Sequence, residues 1–69
     1  NAQLWHLLAK AHYSNSAFLH AISIAKKSNA NTNNSALINE NWKLIRLAGE
    51  KSGNASAIKE ALDYMKLNP

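Results

Sequence analysis

The chain reads as all-α, with four helices folded as two antiparallel hairpins, and three observations point there. Proline is absent until Pro69 and the only glycines are Gly49 and Gly53, so the residues that most disrupt helices are nearly missing. Apolar residues recur at three- and four-residue spacing in four separate stretches, as amphipathic helices require. Between those stretches lie clusters of Ser, Asn and Gly, which cap or end helices.

Leu4, Leu7, Leu8 and Ala11 mark the apolar stripe of a first helix over residues 2–13. Ser14-Asn15-Ser16 then offers side-chain oxygens to the free backbone N–H groups of a second helix, expected over 16–28. Phe18, Ala21, Ile22 and Ala25 form its stripe. Lys26 and Lys27 stand in its last turn, where positive charge complements the helix dipole. Ser28-Asn29-Ala30-Asn31-Thr32-Asn33-Asn34 has no long apolar side chain, and 29–34 is expected to be a linker. A third helix over 35–50 carries Leu37, Ile38, Asn41, Leu44, Ile45 and Ala48 on or near one face. Ser52-Gly53-Asn54 breaks it, with Gly53 as terminator and Asn54 or Ser56 as the next cap. Ala57, Ile58, Ala61, Leu62 and Met65 mark a fourth helix over 55–66, in which Glu60 and Asp63 have no evident purpose. The expected organisation is one small domain over 1–69, with hairpin 1 at 1–28 and hairpin 2 at 35–69. Its expected core is Trp5, Leu8, Phe18, Ile22, Trp42, Ile45, Ile58 and Leu62.

Size and charge bound what such a domain can do. Sixty-nine residues enclose only a thin core. A chain that opens on Asn1 and closes on Leu67-Asn68-Pro69 reads as a piece of something longer. There are no cysteines, hence no disulfides or thiolate metal sites, which is compatible with a reducing, cytoplasmic setting. No apolar run approaches the roughly 20 residues of a membrane span, and no signal-peptide pattern is present. Eight Lys and Arg against four Asp and Glu give a net charge of +4. The basic residues are dispersed along the chain. That favours acidic partners in general and is not in itself a nucleic-acid footprint.

Catalytic and metal constellations are missing from the pattern. His6 and His12 are six residues apart and point to different sides of a helix, whereas zinc on a helix wants ligands three or four apart. His12 is expected to pack, and His6 and His20 to lie on the surface. Glu40, Glu50, Glu60 and Asp63 include no convincing acid–base pair, and two glycines cannot build a phosphate loop. Neither enzyme activity nor a metal or cofactor is expected. Asn33-Asn34-Ser35 and Asn54-Ala55-Ser56 fit the glycosylation acceptor pattern, which arises easily in an Asn-rich chain.

The second half of the chain repeats the first. Trp5, Leu8 and His12 match Trp42, Ile45 and Gly49 with a shift of 37, and Ala21-Ile22 and Ala25 match Ala57-Ile58 and Ala61 with a shift of 36. The one-residue change is expected in the turn between helices. Helix–turn–helix units repeated at this spacing are the signature of an α-solenoid.

Trp5-x-x-Leu8-Ala9-x-x-His12-Tyr13, followed by Phe18-x-x-Ala21-Ile22-x-x-Ala25, resembles the tetratricopeptide repeat. In that family small residues let two helices approach while Trp and Leu fill the space between them. Ala57-Ile58 through Tyr64 looks like the second half of such a repeat, with Pro69 at the family's closing proline. Arg46 takes the place of the small residue that Ala9 represents, and Asn33 stands where proline is common. A small four-helix bundle therefore remains beside the solenoid fragment as the expected architecture.

The resemblance implies a non-catalytic interaction module. Its groove would be lined by the first helix of each hairpin, presenting Gln3, His6, Lys10 and Tyr13, then Asn39, Lys43 and Arg46. Such a face suits a protein or peptide partner that is acidic, through charge-assisted hydrogen bonds. The alternative is a helix-turn-helix over residues 47–62 that offers Asn54, Ser56 and Lys59 to nucleic acid. A third reading is an assembly role, in which the exposed ends join other copies or further repeats.

Overall fold

The computed structural model describes residues 1–68, and among these the chain forms four α-helices and no strand. They are α1 (Ala2–Ser14), α2 (Phe18–Ala30), α3 (Ser35–Ser52) and α4 (Ala55–Leu67). Each helix packs along the next, and α1 also touches α3 lightly. Consecutive helices joined by turns this short and packed along their length run antiparallel. The two hairpins are thus α1–α2 and α3–α4, forming a slab with Cα extents of 28 × 26 × 13 Å. Pro69, matched above to a closing proline, lies outside the described residues.

Asparagine starts three of the four helices. Asn1 Oδ1 accepts from the backbone N–H of Gln3 (2.9 Å) and Leu4 (3.2 Å). Asn34 Oδ1 does the same for Ala36 (3.0 Å) and Leu37 (3.2 Å), and Asn54 Oδ1 accepts from Ala57 (3.1 Å). The cap expected from Ser14-Asn15-Ser16 is not made. Ser16 takes a left-handed φ of 62° in the turn, so α2 starts later, behind Ala17, which has no side-chain oxygen to offer. The Asn-rich linker is also shorter than expected. α2 continues through Asn29 and Ala30, and Asn31 closes it by donating Nδ2–H to the carbonyl of Lys27 (2.7 Å). Only residues 31–34 connect the hairpins.

The buried apolar residues are Ala9, Ala21, Ile22, Ala25, Leu44, Ile45, Ala48, Ala57 and Ala61. Six of these nine are alanine, so helix backbones approach closely and large side chains sit at the margins. Gly49 marks one such approach: a Cβ there would stand 3.1 Å from Ile58 Cγ1 and 3.3 Å from Ala57 Cβ. Ile22 and Ile45 fill the core as expected, and Phe18 and Ile58 are half-buried. Trp5 and Trp42, expected inside, are only half-buried. Trp42 stacks on Tyr64 with ring centroids 5.4 Å apart, and Lys27 Nζ sits 4.3 Å over the Trp5 ring. Leu8 and Leu62, also expected in the core, are 42% and 45% exposed. The stripe Leu4, Leu7, Leu8 and Ala11 faces solvent along its length, because α1 turns the His6 and Ala9 side inward instead.

The repeat register is 37 throughout, which removes the one-residue change expected in the turn. The only positive φ values among the described residues are at Ser16 and Gly53, 37 apart. The backbone N–H of Ala17 donates to the His12 carbonyl at 2.8 Å, and Asn54 to that of Gly49, again at 2.8 Å. Side chains follow the same register. Trp5 beneath Lys27 becomes Trp42 beneath Tyr64, and the His12–His20 stack (5.5 Å) becomes the Gly49–Ala57 contact. Residue identity pairs Ala57-Ile58 with Ala21-Ile22, whereas the turn geometry pairs Ile58 with Ala21. Small residues serve both flanks of these helices, so identity alone does not fix which flank is meant.

Candidate functional site

α1 and α3 lie side by side, and the hollow between them is lined by His6, Lys10, Glu40, Lys43, Leu44 and Leu47, with a volume of about 240 Å³. A second hollow of about 250 Å³ continues it toward the start of α3, lined by Gln3, His6, Asn34, Ala36, Leu37 and Glu40. The arrangement follows from local sequence. The inward turn of α1 at His6 and Ala9 brings Lys10 and Gln3 to the rim, and Leu44 supplies an apolar floor.

His6 is the unexpected element. It is buried, not on the surface, and its Nδ1 lies 2.6 Å from Asn41 Oδ1. Asn41 is itself fully buried. Its Nδ2 donates to Ser28 Oγ (2.8 Å) and to Asn29 Oδ1 (2.9 Å), which leaves Oδ1 as the acceptor. His6 therefore carries its proton on Nδ1 and donates it, the tautomer that this network selects. Ser28 completes the chain by donating to the carbonyl of Ala2 (2.7 Å). Three helices are pinned at one point: α1 through His6 and Ala2, α2 through Ser28 and Asn29, and α3 through Asn41. Among the side-chain polar atoms of the described residues, only Asn29 Nδ2 is buried without a partner. The sequence signal was available in Asn41, the one amide within an apolar stripe.

The candidate partner-binding residues separate. Gln3, His6, Lys10 and Lys43 come together around the two hollows. Tyr13 does not join them; it is half-buried, edge-on to Phe18 with centroids 5.6 Å apart. Asn39 is exposed and lines neither hollow. Arg46 faces a separate cavity of about 440 Å³ on the α4 side, shared with Lys43, Leu47, Glu50 and Met65. Nor do the charges share one sign. Arg46 pairs with Glu50 (3.4 Å), and Lys43 stands 3.6 Å from Glu40, beyond hydrogen-bond reach. Lys10 has no acidic partner among the described residues.

Elsewhere the charges have structural duties. Glu60, without purpose in the sequence, joins α4 to α2 through Lys26 (2.9 Å), and Asp63 pairs with Lys59 (3.0 Å). Asn54 and Lys59, which the nucleic-acid reading needs free, are engaged by the α4 cap and by Asp63. No helix among the described residues is long and apolar enough to cross a membrane. The class that fold and site define is a small all-α domain of two hairpins with a shallow polar groove between its first and third helices. No family model, curated protein or solved structure matches the chain.

Proposed function

We propose that this domain is a non-catalytic, tetratricopeptide-like interaction module that holds an acidic protein segment in the hollow between α1 and α3. The observation that carries the reading is the state of the two lysines at that hollow. Among the described residues Lys10 is exposed without an acidic partner, and Lys43 has only a loose contact with Glu40. An incoming carboxylate takes Lys10 directly and exchanges with Glu40 for Lys43, while Leu44 and Leu47 accept an apolar side chain from the same segment. Gln3 and His6 line the far end and supply orientation there.

The test is binding to an array of acidic, neutral and basic peptides, with and without Lys10→Glu and Lys43→Glu. Acidic peptides are expected to bind preferentially, with affinity falling about tenfold or more per reversal and also falling with salt, because rim charges are screened. Peptide binding that ignores both reversals, together with duplex DNA binding that Lys59→Glu abolishes, would promote the nucleic-acid alternative.

A further inference from the structure

The register of the repeat shows what the uncovered faces of the slab are shaped to meet. In α3, Asn41, Leu44, Ile45 and Ala48 are buried. Their counterparts 37 residues earlier are Leu4, Leu7, Leu8 and Ala11, all exposed. In α2, Ala21, Ala25 and Ser28 are buried; their counterparts in α4 are Ile58, Leu62 and Met65, which are half-buried or exposed. The face of α3 that docks on α2 thus reappears on α1, and the face of α2 that receives it reappears on α4. The α1 face is apolar and uncovered; the α4 face is exposed at Leu62 and half-buried at Ile58 and Met65, with Lys59 and Lys66 standing where α2 has Ile22 and Asn29.

We propose that the chain associates with a second copy of itself head to tail, the Leu4–Leu8 face of α1 in one copy docking on the Leu62–Met65 face of α4 in the other. The occupant is specified by a paired exchange. Within the chain the α2–α3 contact is polar where Asn41 donates to Ser28 at 2.8 Å. At the matching point between copies, Asn41 becomes Leu4 and Ser28 becomes Met65, so both members of the pair turn apolar together. A lone substitution would leave a buried polar group facing a hydrocarbon, which destabilises a contact; the joint change avoids that for this pair. Asn29, the second acceptor of Asn41, has as its counterpart the exposed Lys66, whose long side chain carries its charge out to solvent. The outer face of α1 also carries Leu4 at 64% exposure and Leu7 at 49%. The same step that relates hairpin 1 to hairpin 2 relates one copy to the next. The contact is heterologous and does not close on itself, so a third copy adds as the second did.

This inference is independent of the groove reading, since it uses the ends of the slab and none of the groove lysines. Sedimentation velocity of the unmodified chain from about 10 μM to about 1 mM spans the range where a weak contact registers. The weight-average mass is expected to rise with concentration and to pass the dimer value. Two blocked variants then define the faces: Leu4→Glu/Leu8→Glu and Leu62→Glu/Met65→Glu. Their helical circular dichroism is expected to be retained, because Leu4, Leu8 and Leu62 lie outside the core; a single Leu62→Glu replaces the second variant if Met65 proves necessary for folding. Each variant alone is expected to be monomeric, while an equimolar mixture forms a one-to-one pair and stops there, through the one intact face left on each. A monomeric unmodified chain at all concentrations, self-association of either folded variant alone, or a mixture that does not pair would each overturn the proposal.

Discussion

At the scale of single residues, the buried amide of Asn41 decides how the helices are held. It accepts from His6 and donates to Ser28 and Asn29, so both amide hydrogens and the carbonyl oxygen of its side chain are engaged. Asn41→Ala leaves the Nδ1–H of His6 buried without an acceptor and withdraws a donor from two oxygens. An orphaned buried group costs about 1–3 kcal/mol, and the expected loss for this variant in denaturant unfolding is about 3 kcal/mol, a large share of the stability of so small a domain. The double variant His6→Ala/Asn41→Ala should lose less than the two single losses together, because one interaction is being removed twice. Additive losses would mean that the 2.6 Å contact contributes nothing beyond its parts. The sequence allowed part of this to be read. An amide in the stripe Leu37, Ile38, Asn41, Leu44, Ile45 marked a buried polar position, but the partner could not be named, since His6 is 35 residues away and sits among four leucine and alanine positions that look more apolar than it does. Hydropathy ranked Leu8 above His6; packing reversed the order, because only His6 has a polar counterpart to satisfy.

At the scale of the elements, boundaries were legible wherever one residue type acts by itself. Gly53 ends α3 with a left-handed φ of 68°, and Asn54 caps α4, both as the sequence indicates. The start of α2 was misplaced because three cap-forming residues in a row, Ser14-Asn15-Ser16, gave a composition without a conformation; the turn consumes Ser16 and leaves Ala17 at the cap. The repeat makes this into a prediction. Ala17 stands 37 residues before Asn54, with φ, ψ of −89°, 67° against −90°, 90°. An Asn at position 17 would therefore bring its Oδ1 to the backbone N–H of His20, as Asn54 does to that of Ala57 at 3.1 Å. Ala17→Asn is expected to raise stability by about 0.5–1 kcal/mol, the lower part of the range for gaining an N-cap, read as an upward shift in the thermal midpoint. An unchanged or lower midpoint would show that the half-buried surroundings of Ala17 reject the amide. The linker is the other element that composition misjudged. Asn29 belongs to a helix because its side chain accepts from Asn41, a tertiary contact that no local propensity contains.

At the scale of the whole molecule, the slab is held unevenly along its sequence. α2 and α3 each have a packed helix on two sides, whereas α4 packs mainly on α3, and α1 packs on α2 with only a light contact to α3. The buried polar network ties α1, α2 and α3 together and leaves α4 outside it. What joins α4 to the first hairpin is the exposed Lys26–Glu60 pair, whose side chains are 42% and 47% exposed, and exposed ion pairs contribute about 1 kcal/mol or less. In a stack of helical units each interface is a separate contribution to stability, and the terminal unit opens before the middle. Native-state hydrogen exchange is the measurement that resolves this. Amides of Ala25, Leu44, Ile45 and Ala48, in the two central helices and buried, should exchange slowest and report the global opening. Amides of Leu62 through Met65 in α4 should exchange faster, through an opening that leaves the other three helices intact. Adding salt should widen the gap by weakening Lys26–Glu60, which is the only ion pair between the hairpins among the described residues. Equal protection in α4 and in α2 would mean that the four helices unfold as one unit, and that the alanine contacts of Ala57 and Ala61 with α3 are worth as much as the whole polar network on the other side of the slab.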